Sequence, residues 1–187
     1  MRESGTTLQL LHEIRRRPSG RRRLAEATGR SEMAVRLELD RLRGRGLIEL
    51  RREGPRITEA GRRGFEQLFR SVHDVQSIEL SALQLDEVGV GAHILLAIEA
   101  PAWVLRDLAV RQGASGLVLL RREGGTWRFA HDGEPVGLRN PRDDGRIEKA
   151  FSGASSGDAL ILSFGPDRRS AGCGLWAVLA EILAQAA

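Results

Sequence analysis

Between residues 29 and 50 the apolar positions change their period. Val35, Leu39 and Leu42 recur at spacings of four and three, which puts one buried stripe on a helix over 32–45. Leu47, Ile48 and Leu50 follow at once and begin a strand. Ser31 can cap this helix, since its hydroxyl accepts from the free amides of a helix start. Gly29 suits the left-handed turn residue before the helix, and Gly46 the one that ends it. The exposed face of the first turns carries Glu32, Met33, Arg36 and Leu37.

The flanking patterns are helical before this stretch and mixed after it. Thr6 with Gln9 suits a capping box, and Leu8, Leu11 and Ile14 give a helix over 7–16. Pro18-Ser19-Gly20 breaks it, and a second helix over 21–28 turns Leu24, Ala25 and Ala27 inward, with Ser19 or Gly20 near its start. Residues 47–52 and 56–57 read as a hairpin around Glu53-Gly54-Pro55. Thr58 then caps a fourth helix over 59–75, with Glu59 well placed for the helix dipole and Phe65, Leu68, Phe69 and Val72 as its stripe.

From residue 71 onward shorter apolar runs alternate with turns. Strands are expected at 77–83 and 93–99, with a loop at 84–91 between them. A helix follows at 103–112, after Pro101 and closed by Gly113. Strands at 117–122 and 126–131 flank Glu123-Gly124-Gly125, a hairpin signal. A loop over 132–140, a short helix over 144–151 and a small-residue loop at 153–157 come next. The apolar run 158–164 should be a central strand. A last helix over 167–184 buries Leu175, Val178, Leu179 and Ile182. The sum is about five strands with two main helices mostly on one face; swapped and ferredoxin-like sheet orders both remain open.

The order GRSEMAVRLELDRLRGRGLIEL, RREGPR, ITEAGRR resembles the winged helix-turn-helix domains of prokaryotic transcriptional regulators over roughly residues 7–68. The stretch VLRDLAVRQGASGLVLL, with GDALILSFGPD before the final helix, resembles the C-terminal domain of certain archaeal winged-helix regulators of uncharacterised function. The expected fold class is α+β: an N-terminal winged helix-turn-helix over 1–76 and a C-terminal two-layer α/β sandwich over 77–187. The first resemblance implies a partner of double-stranded DNA. The second carries no established ligand.

Charge sharpens this division. Residues 1–70 hold 18 arginines against 10 acidic side chains, a net +8, whereas residues 71–187 hold 11 basic against 15 acidic, a net −4. A basic half joined to an acidic one points to a polyanionic partner for the first half alone. No apolar run approaches the ~20 residues that span a bilayer, and the N-terminus lacks an apolar signal core, so the expected location is the cytoplasm. Cys173 is the single cysteine and the four histidines are scattered, which argues against a disulfide, a structural metal or a resident cofactor. Lys149 is the only lysine and Asn140 the only asparagine; a GC-rich genome or a hot environment would each give that bias.

Within the first half, Arg36 is the first choice for a base or phosphate contact, because arginine pairs with guanine O6 and N7. Met33 and Leu37 either touch a thymine methyl or pack on a neighbour. Arg51, Arg52 and Arg56 lie at the wing, where phosphates or a minor groove come within reach, or else they simply solubilise the hairpin. Arg21, Arg22 and Arg23 open the second helix against its dipole, a local conflict that phosphate binding would explain. Glu32, Glu38 and Asp40 depart from the pattern, since carboxylates repel phosphates. In the second half, Asp167, Arg168 and Ser170 open a helix whose free amides could hold an anionic effector, with Asp167 as its cap in the alternative. Arg106 and Asp107 either pair with an effector or pair with another part of the sheet. The reading is a DNA-binding regulator, not an enzyme, whose second half dimerises, senses a small molecule, or both. The alternatives are a small enzyme with an attached winged helix and a protein-interaction winged helix. No base–nucleophile pair supports the enzyme.

Overall fold

The structure, a computed structural model, describes residues 3–186. Helix α1 (Gly5–Arg16) starts from Ser4, whose hydroxyl accepts from the Thr7 amide at 3.2 Å. The expected Thr6–Gln9 box is therefore not the cap. Gln9 turns inward and lies beside Gly172 of the second half. Helix α2 (Arg21–Thr28) begins at Gly20 and ends on Gly29 at φ +66°. Helix α3 (Glu32–Gly44) starts from Ser31, which accepts from the Ala34 amide at 3.2 Å, and Gly46 at φ +70° releases the chain into the wing.

The wing is an antiparallel pair, β1 (Ile48–Arg51) and β2 (Gly54–Ile57). Arg51 faces Gly54, so the turn is Arg52-Glu53 and not the expected Glu53-Gly54-Pro55. Pro55 sits inside β2 opposite Leu50, a place open to proline because a two-stranded ribbon has free edges. Thr58 caps α4 (Glu59–Gly64) and accepts from the Gly61 amide at 3.0 Å. The single long helix expected next does not form. The chain breaks at Phe65, makes the short α5 (Glu66–Ser71), and becomes extended at Val72. Val72, Val75 and Ile78 mimic a helical spacing. A register shift between Val72 and Asp74 keeps Val72 and Val75 in one core, while Ile78 joins the core on the opposite side of the sheet.

The second half is a five-stranded sheet of β3 (Val72–Ile78), β4 (Val88–Ile94), β5 (Gly116–Glu123), β6 (Thr126–Phe129) and β7 (Ala159–Gly165). Every ladder is antiparallel and the order is β3-β4-β7-β5-β6. The residue 76/77 division falls inside β3. The first two strands lie earlier than expected because Gly89 and Gly91 belong to β4 and not to a loop. Side chains on those glycines would meet the Ile78 carbonyl and the Phe151 ring. Strand β7 is central and buried throughout. Both β4 and β5 run antiparallel to it, so the connection from β4 to β5 joins two like-directed strands with β7 between them.

Ala159 and Ile161 of β7 face one core with α6 (Ala102–Arg111) and α9 (Arg168–Gln185). Leu160, Leu162 and Phe164 face another with α7 (Val136–Arg139) and α8 (Pro141–Ala150). Helices α6 and α9 thus share a face, and α7 together with α8, which is as long as α6, covers the other.

The two halves share one core. Leu8, Leu11, Leu175, Trp176 and Leu179 belong to a single buried cluster. Each such side chain contributes roughly 2 kcal/mol of burial. Gly5 is what allows α1 to approach α9: a β-carbon there would lie 2.7 Å from the Trp176 carbonyl carbon. Polar contacts reinforce the seam. Arg16 donates to the Val75 carbonyl at 3.0 Å, and Arg30 donates to Cys173 Sγ at 3.3 Å. Cys173 is therefore half-buried at the seam.

Candidate nucleic-acid interface

Helix α3 buries Val35, Leu39 and Leu42 and leaves its other face to solvent. Met33 is 61% and Leu37 63% exposed, so neither packs on α2 or on the acidic half. Ser31, Glu32 and Arg36 are exposed beside them. Arg36 Nε lies 3.7 Å from Asp40, one turn on, a solvent-exposed pair worth little and easily exchanged for another anion.

The acidic residues that seemed to oppose polyanion binding are largely accounted for. Glu38 points back toward α1. It accepts from the Thr7 hydroxyl at 2.5 Å and lies 3.2 Å from Arg41. Glu3 completes this network by binding Arg41 at 3.3 Å and Arg45 at 2.5 Å. Hydrogen bonding from Arg45 holds the Glu3 carboxyl below the usual carboxylate range. Two carboxylates thus fasten the back of α3 to the start of α1. The i,i+3 spacing of Glu38 and Arg41 signals half of this arrangement; nothing local links them to Glu3 and Thr7. Glu32 stays at the helix N-terminus, where a negative charge suits the dipole.

At the wing, Arg51 pairs with Glu49 at 2.7 Å and Arg56 with Glu53 at 3.6 Å. Arg52 occupies the turn itself, is exposed, and has no ion-pair partner among the described residues. The turn is braced against the α1–α2 link: a β-carbon on Gly54 would lie 2.8 Å from the Ser19 carbonyl oxygen. Arg21, Arg22 and Arg23 are exposed at the start of α2, and Arg22 pairs with Glu26 at 3.0 Å. A cleft of about 740 Å³ lies between the end of α1, the wing and α4–α5. Most of its arginines are already engaged: Arg15 with the Phe69 carbonyl, Arg56 with Glu53, Arg63 with Glu59 and Arg70 with Glu66.

The second-half candidates divide. Asp167 caps α9 by accepting from the Ser170 amide at 2.7 Å, which holds its carboxyl below the usual range and occupies the helix start with its own charge. Arg168 lies near Glu13 at the seam with α1. Arg106 and Asp107 are exposed on α6 and have no partner among the described residues, so the expected pairing with another part of the sheet is not made. A further pair was not legible in the sequence. His93 Nε2 and Asp158 Oδ2 lie 2.8 Å apart and buried, and the Ser155 amide also donates to Asp158. This pair ties the end of β4 to the loop before β7, across 65 residues of chain.

Residues 6–72 match the CggR N-terminal DNA binding domain. The matched stretch contains all the winged-helix elements just described and supports a DNA-binding regulator. The whole architecture also has a counterpart, the hypothetical protein PH0730 from Pyrococcus horikoshii OT3. The two superpose with a TM-score of 0.76 at 22% identity, covering 96% of this chain and 93% of that one, which is a likeness of fold. No curated protein matches the chain. Among the described residues no helix is long and apolar enough to cross a membrane.

Proposed function

We propose that this chain is a DNA-binding transcriptional regulator. Its α3 enters the major groove, and its second half joins two copies on a two-fold site. The observation that carries the reading is the uncovered face of α3. Ser31, Glu32, Met33, Arg36 and Leu37 stand in solvent on a helix whose back is fastened to α1. Arg36 is the base or phosphate contact, Arg52 reaches the flanking backbone, and Arg21 and Arg22 add phosphate contacts. The protein acts by binding and not by catalysis. Asp167 caps its own helix, so an anionic effector is not assigned to that turn.

Selection of bound sequences from random duplex DNA with the full chain tests the reading, followed by titrations at two salt concentrations. Binding that weakens steeply with salt is expected. Arg36→Ala should cost ~1–3 kcal/mol on the preferred site if the side chain reads a base. Equal losses on every sequence would move Arg36 to phosphate positioning. No duplex binding at low salt would overturn the proposal.

A further inference from the structure

A second cleft, of about 350 Å³, opens where α1 and α2 meet the first turn of α9. Arg17 at the end of α1, Arg23 on α2 and Arg168 at the start of α9 line it together. All three residues are exposed, and none has a hydrogen-bond or ion-pair partner among the described residues. The acidic residues beside them do not balance the group. Glu26 is already paired with Arg22 at 3.0 Å, and Glu13 meets His12 at 4.0 Å, with no arginine at ion-pair distance among the described residues. A cleft lined by charge of one sign concentrates ions of the other. Its size is at the small end of the range for metabolite sites.

The cleft has a polar floor. Glu13 and Arg168 also line a narrow recess that runs inward between Gln9 and Trp176. Gln9 is 5% exposed, and its Oε1 is buried with no hydrogen-bond partner. A buried amide oxygen without a donor is costly, and a ligand carrying a hydroxyl or an amine supplies one. Duplex DNA fits this arrangement poorly. A phosphodiester backbone does not reach a recess behind the opening, and Arg168 belongs to the acidic half.

We infer that this cleft binds a small organic anion with two or more charged oxygens, held by Arg17, Arg23 and Arg168, with Gln9 accepting from a donor on its uncharged end. Guanidinium forks suit such oxygens. The first amides of α9 stay with Asp167, so side chains alone meet the charge. The ligand touches α1 and α2 of the winged helix and α9 of the sheet half at once. On the DNA-binding reading it is therefore an effector that favours one setting of α2 against α9. Only that regulatory role rests on the reading; the binding site does not.

The test is calorimetric titration of the full chain, without DNA, with citrate and with inorganic phosphate at constant ionic strength. At least one should bind the wild type one-to-one and saturate, and the preference between them assigns the charged group as carboxylate or phosphate. Arg17→Gln and Arg168→Gln should each weaken that binding about tenfold or more. Arg142→Gln removes the same charge from α8, on the opposite face of the sheet, and should leave it unchanged. All three positions are exposed, and circular dichroism checks that the variants fold. Binding undiminished in the cleft variants, or weakened equally in all three, would overturn the site. So would a wild type that binds neither anion. If neither anion binds and the cleft variants weaken duplex binding instead, the arginines contact the DNA backbone, and the inference fails while the DNA-binding reading stands.

Discussion

His12 makes the seam between the two halves sensitive to acid. Its ring lies 5.3 Å from that of Trp176, it is buried, and its Nδ1 has no hydrogen-bond partner. Burial, reinforced by the positive charges of Arg16 and Arg15, lowers its pKa from 6.5 to about 4. The folded protein therefore holds His12 neutral. Its stabilising contribution is complete above the unfolded value of 6.5 and is lost as pH falls toward 4. At 1.36 kcal/mol per unit, the full loss is on the order of 3 kcal/mol. The neighbouring Glu13, whose carboxylate lies 4.0 Å from Nδ1, runs the other way. Burial raises its pKa, so its contribution is present at low pH and lost as pH rises through its folded value. Glu13 is retained in His12→Leu, so comparing that variant with the wild type isolates the histidine. Urea unfolding of both proteins should be measured at intervals from pH 7.5 to 4. The difference in stability should move toward the variant as pH drops below 6.5, with a slope approaching about 1.4 kcal/mol per unit. A difference that stays constant across that range would refute the argument.

Two other perturbations are sharply set by the structure. Gly29→Ala demands φ +66° from an alanine and places its β-carbon 2.9 Å from the Arg169 backbone, so thermal melting should report a loss above ~1–2 kcal/mol. Gly44→Ala, in open space at ordinary backbone angles, is the control and should be neutral or gain up to ~1 kcal/mol. Asp143 is buried and accepts from the Ser81 and Leu83 amides at 2.7 and 2.9 Å; Asp143→Ala should cost roughly 2 kcal/mol or more and speed hydrogen exchange at both amides, and unchanged exchange would assign the loop's order to other contacts.

The winged helix was legible because its signals are local. Ser31, Gly29 and Gly46 act on their own neighbours, and Val35, Leu39 and Leu42 repeat within one helix. The reading failed where a distant partner decided the outcome. Val72 continues the helical stripe of Phe65, Leu68 and Phe69, yet pairing with Ile94 draws it into a sheet. Gly89 and Gly91 look like loop residues until Phe164 and Phe151 are seen lying over them. Leu80 and Leu83 look like strand residues, but Asp143, some sixty positions later, accepts from the Ser81 and Leu83 amides and holds this stretch in a loop. At the candidate interface the exposed face of α3 followed from helical spacing alone. The inward turn of Glu38 did not, because it depends on Thr7.

The missing β-carbon at Gly5 has a consequence for how the molecule can be divided. Where one helix rests directly on the main chain of another, there is no slack linker for a hinge to occupy. Cutting the chain near residue 76 would leave Leu8 and Leu11 without their cover and strip Trp176 of its own. The winged helix and the sheet are thus expected to melt together, and a change that tilts α9 should move α1 with it.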